Sequence, residues 1–218
     1  MAVLEPVKPS ILAVRLIPSV DHGLADKLGL TNNQRALGIL TCDIDDSLYV
    51  SLDEATKFAE VDVVYAKSFY AGSGYPSGPL SGEVIGMLAG PTPAEVRAGV
   101  DACVAYAEEE AWFYAADDAG DLTFFPHLIS STGAYLSGEA DIPAGEPLAY
   151  LIAPPLEATY ALDLALKAAD VSVRTYFEPP SETNFSGGLL TGSQSACRAA
   201  CSAFQDGVLE VAARPKKY

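Results

Sequence analysis

A chain of 218 residues, half of them hydrophobic, is long enough to bury a real core, as one large domain or as two of about 100 residues. Its 29 acidic against 13 basic residues give a formal charge of −16, which excludes nucleic acid and an anionic membrane as partners and favours cationic ligands. No stretch approaches the roughly 18 apolar residues of a membrane span, and the start "MAVLEPVKPS" lacks the basic segment and apolar core of a signal peptide, so a cytoplasmic location is expected.

In chain order, residues 10–17 predict a strand, and 19–29 a short helix opened by Ser19 and stopped by Gly29. "RALGILTC" (35–42) is a second strand. Ser51 and Glu54 stand in capping-box spacing, so a helix is expected to begin there. Residues 61–68 form a strand, 69–82 a long mobile loop rich in glycine, serine and proline, and 83–90 another strand. A helix follows from Pro93 to Glu109, and the aromatic, acidic stretch 111–127 reads as irregular.

The second half then replays the first. Asp53, Ala55, Lys57 and Ala59 share one offset with Asp163, Ala165, Lys167 and Ala169; Gly90 matches Gly192 at a smaller offset, because the intervening loop is shorter in the second copy. Each copy reads strand, helix, strand, variable loop, strand, helix. The expected fold is therefore α/β (α+β) in two tandem domains, residues 1–110 and 111–218, each a small sheet covered by helices.

The four cysteines, Cys42, Cys103, Cys197 and Cys201, read as packed thiols, and His22 and His127 sit in no catalytic motif, so neither metal nor catalytic roles are assigned to them. The unusual feature is "TCDIDDSLY", with Asp43, Asp45 and Asp46 crowded behind an apolar strand. Such charges raise one another's pKa and need water, a cation or a donor to stay ionised. A calcium loop would use Asp43, Asp45 and Glu54, but Leu48 stands where the sharp turn needs glycine. A magnesium-dependent phosphatase of the haloacid-dehalogenase type, using Asp43 and Asp45, is the enzyme alternative; the internal repeat argues against it.

The repeated "D-x-A-x-K-x-A", together with "VDVVYAKSFYAG", "GPTPAEVRAG", "STGAYLS", "AYLIAPPLEATYALD", "PPSETNF" and "LLTGSQSACRAAC", resembles the L-type ethanolamine-utilisation shell proteins of bacterial microcompartments over essentially the whole chain. The resemblance implies circularly permuted shell domains, a homotrimer forming a pseudohexameric tile, and neighbouring shell proteins packed edge to edge through Lys57 and Lys167. It implies no enzymatic activity, small acidic channels rimmed by Asp43 and Asp46, and a central pore gated by the loops. It also implies ethanolamine as ligand, bound by Asp45, Glu83, Phe113 and Asn184. No cofactor is required; cobalamin is a candidate transported or bound ligand.

Overall fold

The computed structural model describes residues 1–69, 77–179, 181 and 183–216. The elements run β1 (Pro6–Val7), β2 (Ile11–Ile17), α1 (His22–Leu28), β3 (Ala36–Cys42), α2 (Asp45–Phe58), β4 (Asp62–Ser68), β5 (Val84–Gly90) and α3 (Pro93–Glu109). They continue β6 (Phe113–Ala115), β7 (Thr123–Ile129), α4 (Ala134–Glu139), β8 (Leu148–Ala153), α5 (Pro155–Ala168), β9 (Val171–Phe177), β10 (Ser186–Gly192) and α6 (Gln194–Ala213). The chain divides into two compact units. The first is Lys8–Ala111 with Gly133–Leu136; the second is Met1–Val7, Trp112–Thr132 and Ser137–Tyr218. Each unit thus includes a short segment from the far half of the sequence, which the repeat alone does not foretell.

The first unit is a four-stranded sheet in the order β2-β3-β5-β4, and the second a six-stranded sheet in the order β1-β6-β7-β8-β10-β9. All pairings are antiparallel. The duplication is plain in this order: β7-β8-β10-β9 repeats β2-β3-β5-β4, and α5 and α6 repeat α2 and α3. In the first unit Leu40, Leu48, Leu52, Leu88, Val96 and Val100 join strands and helices in one core; in the second, Phe124, Leu151, Leu162, Leu190 and Phe204 do so. The repeated pair Gly90 and Gly192 has a common cause. A Cβ at Gly90 would stand 2.8 Å from the Glu60 carbonyl oxygen and one at Gly192 2.6 Å from that of Asp170, so both copies need a bare backbone beside the turn that leads into the neighbouring strand, β4 or β9.

Three expectations about local structure are corrected. Helix α1 starts after Asp21, not Ser19, because the Asp21 side chain accepts from the Gly23 N–H; Gly29 ends it as expected, in the left-handed region. Helix α2 starts at Asp45, six residues before Ser51, which is buried in mid-helix and donates its hydroxyl proton back to the Ser47 carbonyl at 2.6 Å. The capping-box spacing was coincidental, since a hydroxyl one turn into a helix can bond backward instead of capping. The stretch 111–127 is not irregular: β6 and β7 lie within it, joined by a turn in which Asp117 accepts from the N–H groups of Gly120 and Asp121. Of the loop expected over 69–82, residues 70–76 lie outside the described residues.

Candidate functional site

The three aspartates behind β3 divide by environment. Because α2 begins at Asp45, Asp45 and Asp46 occupy its first turn, where unpaired N–H groups and the helix dipole favour carboxylates. Both are buried, whereas Asp43 is exposed. Asp43 Oδ1 accepts from the Ser10 N–H at 2.6 Å and so clamps the lead-in to β2. Asp45 Oδ1 accepts from the Asp46 N–H at 2.9 Å, and its carboxylate also meets the Ser68 hydroxyl.

Glu83 reaches the same place through a backbone constraint. Gly82 has φ +60°, and a Cβ there would stand 2.1 Å from the Cys42 carbonyl oxygen. The chain therefore crosses directly over the end of β3. The Glu83 N–H donates to that same Cys42 carbonyl at 2.8 Å, while the Glu83 carbonyl accepts from the Phe69 N–H at 2.9 Å and the Ser68 hydroxyl at 3.2 Å. Ser68 in turn donates its N–H to the Tyr49 hydroxyl at 2.7 Å. Gly82, Ser68 and Tyr49 were not visible as site residues in the sequence; the one signal was the glycine directly before an acid at a strand entry.

Electrostatically the cluster is unsettled. Burial pushes the Asp45 carboxyl above its ordinary value, and the charge of Glu83 adds to this. Burial likewise raises Glu83, with Asp43 adding to it. The Glu83 Oε2 atom is buried and meets no hydrogen-bond partner among the described residues. An unmatched buried carboxylate oxygen is costly until a donor or a positive charge reaches it.

Asp45 and Glu83 are thus brought together in the first unit. Phe113 and Asn184 belong to the second. Phe113 is buried, stacked on Phe125 with ring centroids 4.8 Å apart and met edge-on by Phe185 at 6.1 Å. Asn184, next to Phe185 in the chain, is exposed and in the left-handed region at φ +63°. His127 stacks on the other face of this aromatic group, 4.9 Å from Phe125. The four cysteines are buried free thiols, with Cys42 and Cys201 pushed up to about 12 by burial. Lys57 pairs with Glu54 and its side chain is 24 % exposed; Lys167 pairs with Asp163 and is 70 % exposed.

This chemistry suits neither alternative read from the acidic run. Among the described residues no group of three or more histidine, cysteine or acidic side chains could hold a metal ion. The phosphatase reading needs a doubly wound parallel sheet, and both sheets are antiparallel. What the cluster can do is receive a small organic cation, since an ammonium supplies one charge and three donors to carboxylates that supply only acceptors.

A BMC domain matches residues 36–116. The chain is 54 % identical over 215 residues to the bacterial microcompartment shell protein EutL of Escherichia coli K12, covering 99 % of this chain and 98 % of that one. The crystal structure of the ethanolamine utilization protein EutL from Leptotrichia buccalis superposes with a TM-score of 0.97 at 59 % identity, with complete coverage of both chains. The trimeric shell protein PduB shares the fold, with a TM-score of 0.75 at 19 % identity over 94 % of this chain and 89 % of that one. The chain therefore belongs to the bacterial microcompartment shell proteins and, among them, to the EutL family. It is a structural shell component and not an enzyme, and the phosphatase alternative falls.

Proposed function

We propose that three copies of the chain form a pseudohexameric tile of six shell units, and that each copy binds ethanolamine as its ammonium ion at Asp45 and Glu83, beside a small acidic channel. The observation that carries the ligand reading is the buried, unmatched Oε2 of Glu83 next to the buried carboxylate of Asp45. An ethanolammonium ion offsets the repulsion between the two acids and donates to the open oxygen, while its hydroxyl can exchange hydrogen bonds with neighbouring polar groups. Asp43 and Asp46 are read as rim residues, and Phe113 and Asn184 as the rest of the ligand set. The two variable loops gate a central pore for metabolites, with cobalamin as a candidate cargo. Lys57 and Lys167 are read as tile-edge residues against other shell proteins.

Calorimetry with ethanolamine on the wild type and on Glu83→Gln tests the ligand reading. The variant keeps the shape and removes the charge, and its affinity should fall at least about tenfold, since hydrogen bonds to charged groups contribute about 1.5–3 kcal/mol. Equal affinities would remove Glu83 from the site. Light scattering tests the assembly: a particle of three 22.8 kDa chains is expected.

A further inference from the structure

The last residue of β4, Ser68, stands between the two acids of the cation cluster. Asp45 and Tyr49 lie one turn apart on α2 and so share a face. The Ser68 N–H donates to the Tyr49 hydroxyl at 2.7 Å, which fixes the end of β4 against that face. Ser68 is 6 % exposed, and its hydroxyl meets two acceptors, the Glu83 carbonyl at 3.2 Å and the Asp45 carboxylate.

A serine hydroxyl has one proton to give. The Glu83 carbonyl already accepts from the Phe69 N–H at 2.9 Å, and 3.2 Å is long for a bond between two oxygens. A carboxylate is the stronger acceptor, because its bond is charge-assisted. The proton therefore goes to Asp45 whenever that acid is ionised. The second copy supplies a contrast. At the positions matching Asp45, Tyr49, Ser68 and Glu83 it carries Pro155, Thr159, Glu178 and Phe185. All four change together, whereas Gly90, which the sheet itself requires, recurs as Gly192. The serine goes with the acids and not with the fold.

We propose that Ser68 is a positioning residue of the cation site, its hydroxyl aiming the Asp45 carboxylate beside Glu83, with Tyr49 holding Ser68 in turn. This deepens, and rests on, the ethanolamine reading given above. The titratable groups in and around the cluster are Asp43, Asp46, Glu83, Tyr49 and Cys42. Burial, and after it the charge of Glu83, push Asp45 toward its neutral form; the N–H groups of Asp46 and Asp45 and the Ser68 hydroxyl oppose them. Without the hydroxyl the acid takes up a proton at higher pH, and an ammonium finds the carboxylate less often.

Calorimetry with ethanolammonium chloride on the full chain across pH 4–8 tests this with Ser68→Ala and Ser68→Thr. In Ser68→Ala the affinity at neutral pH should fall at least about fivefold, and the pH at which half of it is lost should rise by about half a unit or more. Threonine keeps the hydroxyl and should restore most of both. An unchanged affinity, or a weaker one with an unmoved pH profile, overturns the proposal, since lost packing does not move a titration. Carbon-13 titration of the Asp45 carboxyl in the chain without amine separates this from the ligand reading. Its midpoint should rise in Ser68→Ala, and an unmoved midpoint overturns the role of Ser68 whether or not ethanolamine binds. A wild type that takes up no ethanolamine while the midpoint moves overturns the ligand reading and the positioning role with it, and leaves the hydrogen bond standing. Tyr49→Phe leaves the Ser68 N–H without its acceptor, so faster amide exchange at Ser68 and a smaller shift in the same direction are expected; unchanged exchange overturns the Tyr49 link.

Discussion

Replacing Asp53 tests how the first unit holds residues 133–136. Asp53 is 1 % exposed, and each carboxylate oxygen accepts one backbone N–H, from Gly133 just before α4 and from Leu136 in its first turn. Asp53→Asn keeps one acceptor and turns a donor toward the other N–H. That exchange removes one charge-assisted bond, about 1.5–3 kcal/mol, and leaves an N–H without a partner. Relief from burying the charge returns part of it, so a net loss of about 1–3 kcal/mol follows. Asp53→Ala strands both N–H groups and should cost more, about 3–5 kcal/mol. The pH dependence separates this mechanism from simple loss of packing. Burial raises the Asp53 carboxyl above its ordinary value, although the Gly133 and Leu136 N–H groups and Lys57 oppose the rise. The folded state therefore holds the proton more tightly than the unfolded state. The stabilisation from that group is complete below the unfolded value, about pH 4, and is lost as pH rises through the folded value. Asparagine does not titrate, so the gap between wild type and Asp53→Asn should narrow from about pH 4 toward neutrality. Urea titrations at several pH values, with amide exchange at Gly133 and Leu136, read both effects. A variant as stable as the wild type, or a gap that widens with pH, would refute the reasoning.

Ethanolamine affinity should weaken as pH falls, and because burial raises both Asp45 and Glu83, the weakening should begin above the pH of about 4 that free carboxylates suggest; calorimetry across pH 4–8 checks the onset, and a flat profile speaks against carboxylate recognition. Gly82→Ala should abolish binding and cost at least about 1–3 kcal/mol of stability, since it forces a side chain into a left-handed backbone against the Cys42 carbonyl; unchanged melting and affinity would detach Gly82 from the positioning of Glu83. On the tile proposed above, replacing Lys57 and Lys167 together with Asp should leave the proposed trimer intact and abolish extended sheets in electron micrographs. The single Lys167→Asp change should do more than Lys57→Asp, because Lys167 is the more exposed of the two.

The repeat made the order of strands and helices readable, because Asp53/Asp163 and Gly90/Gly192 mark equivalent points of two copies that must bury the same faces. It could not tell what each copy does with them. Asp53 is buried and caps α4, while Asp163 lies at the surface beside Lys167. Local signals failed where a distant segment decided the outcome. Ser51 carries a capping pattern yet lies inside α2, and 111–127, dense in acids, yields strands because Phe113, Ala115, Phe124 and Phe125 are drawn into the core. Of the candidate site, the residue types at Asp45 and Glu83 were legible. Their meeting was legible only through the family resemblance and not from spacing, since it depends on the chain crossing Cys42 at Gly82, a contact between residues forty positions apart.

The carboxylate cluster also occurs in only one of the two copies. At the positions matching Asp45 and Glu83 the second copy carries Pro155 and Phe185, one opening α5 and the other closing against Phe113. A ring built from six identical single domains would have to place such a cluster at every position and carry six sets of mutually repelling acids. Two unlike copies in one chain allow acids at one position and the oil-like Pro155 and Phe185 at its counterpart. On the trimeric tile proposed above, the six positions would then alternate, three carrying the acids and three closed by packing.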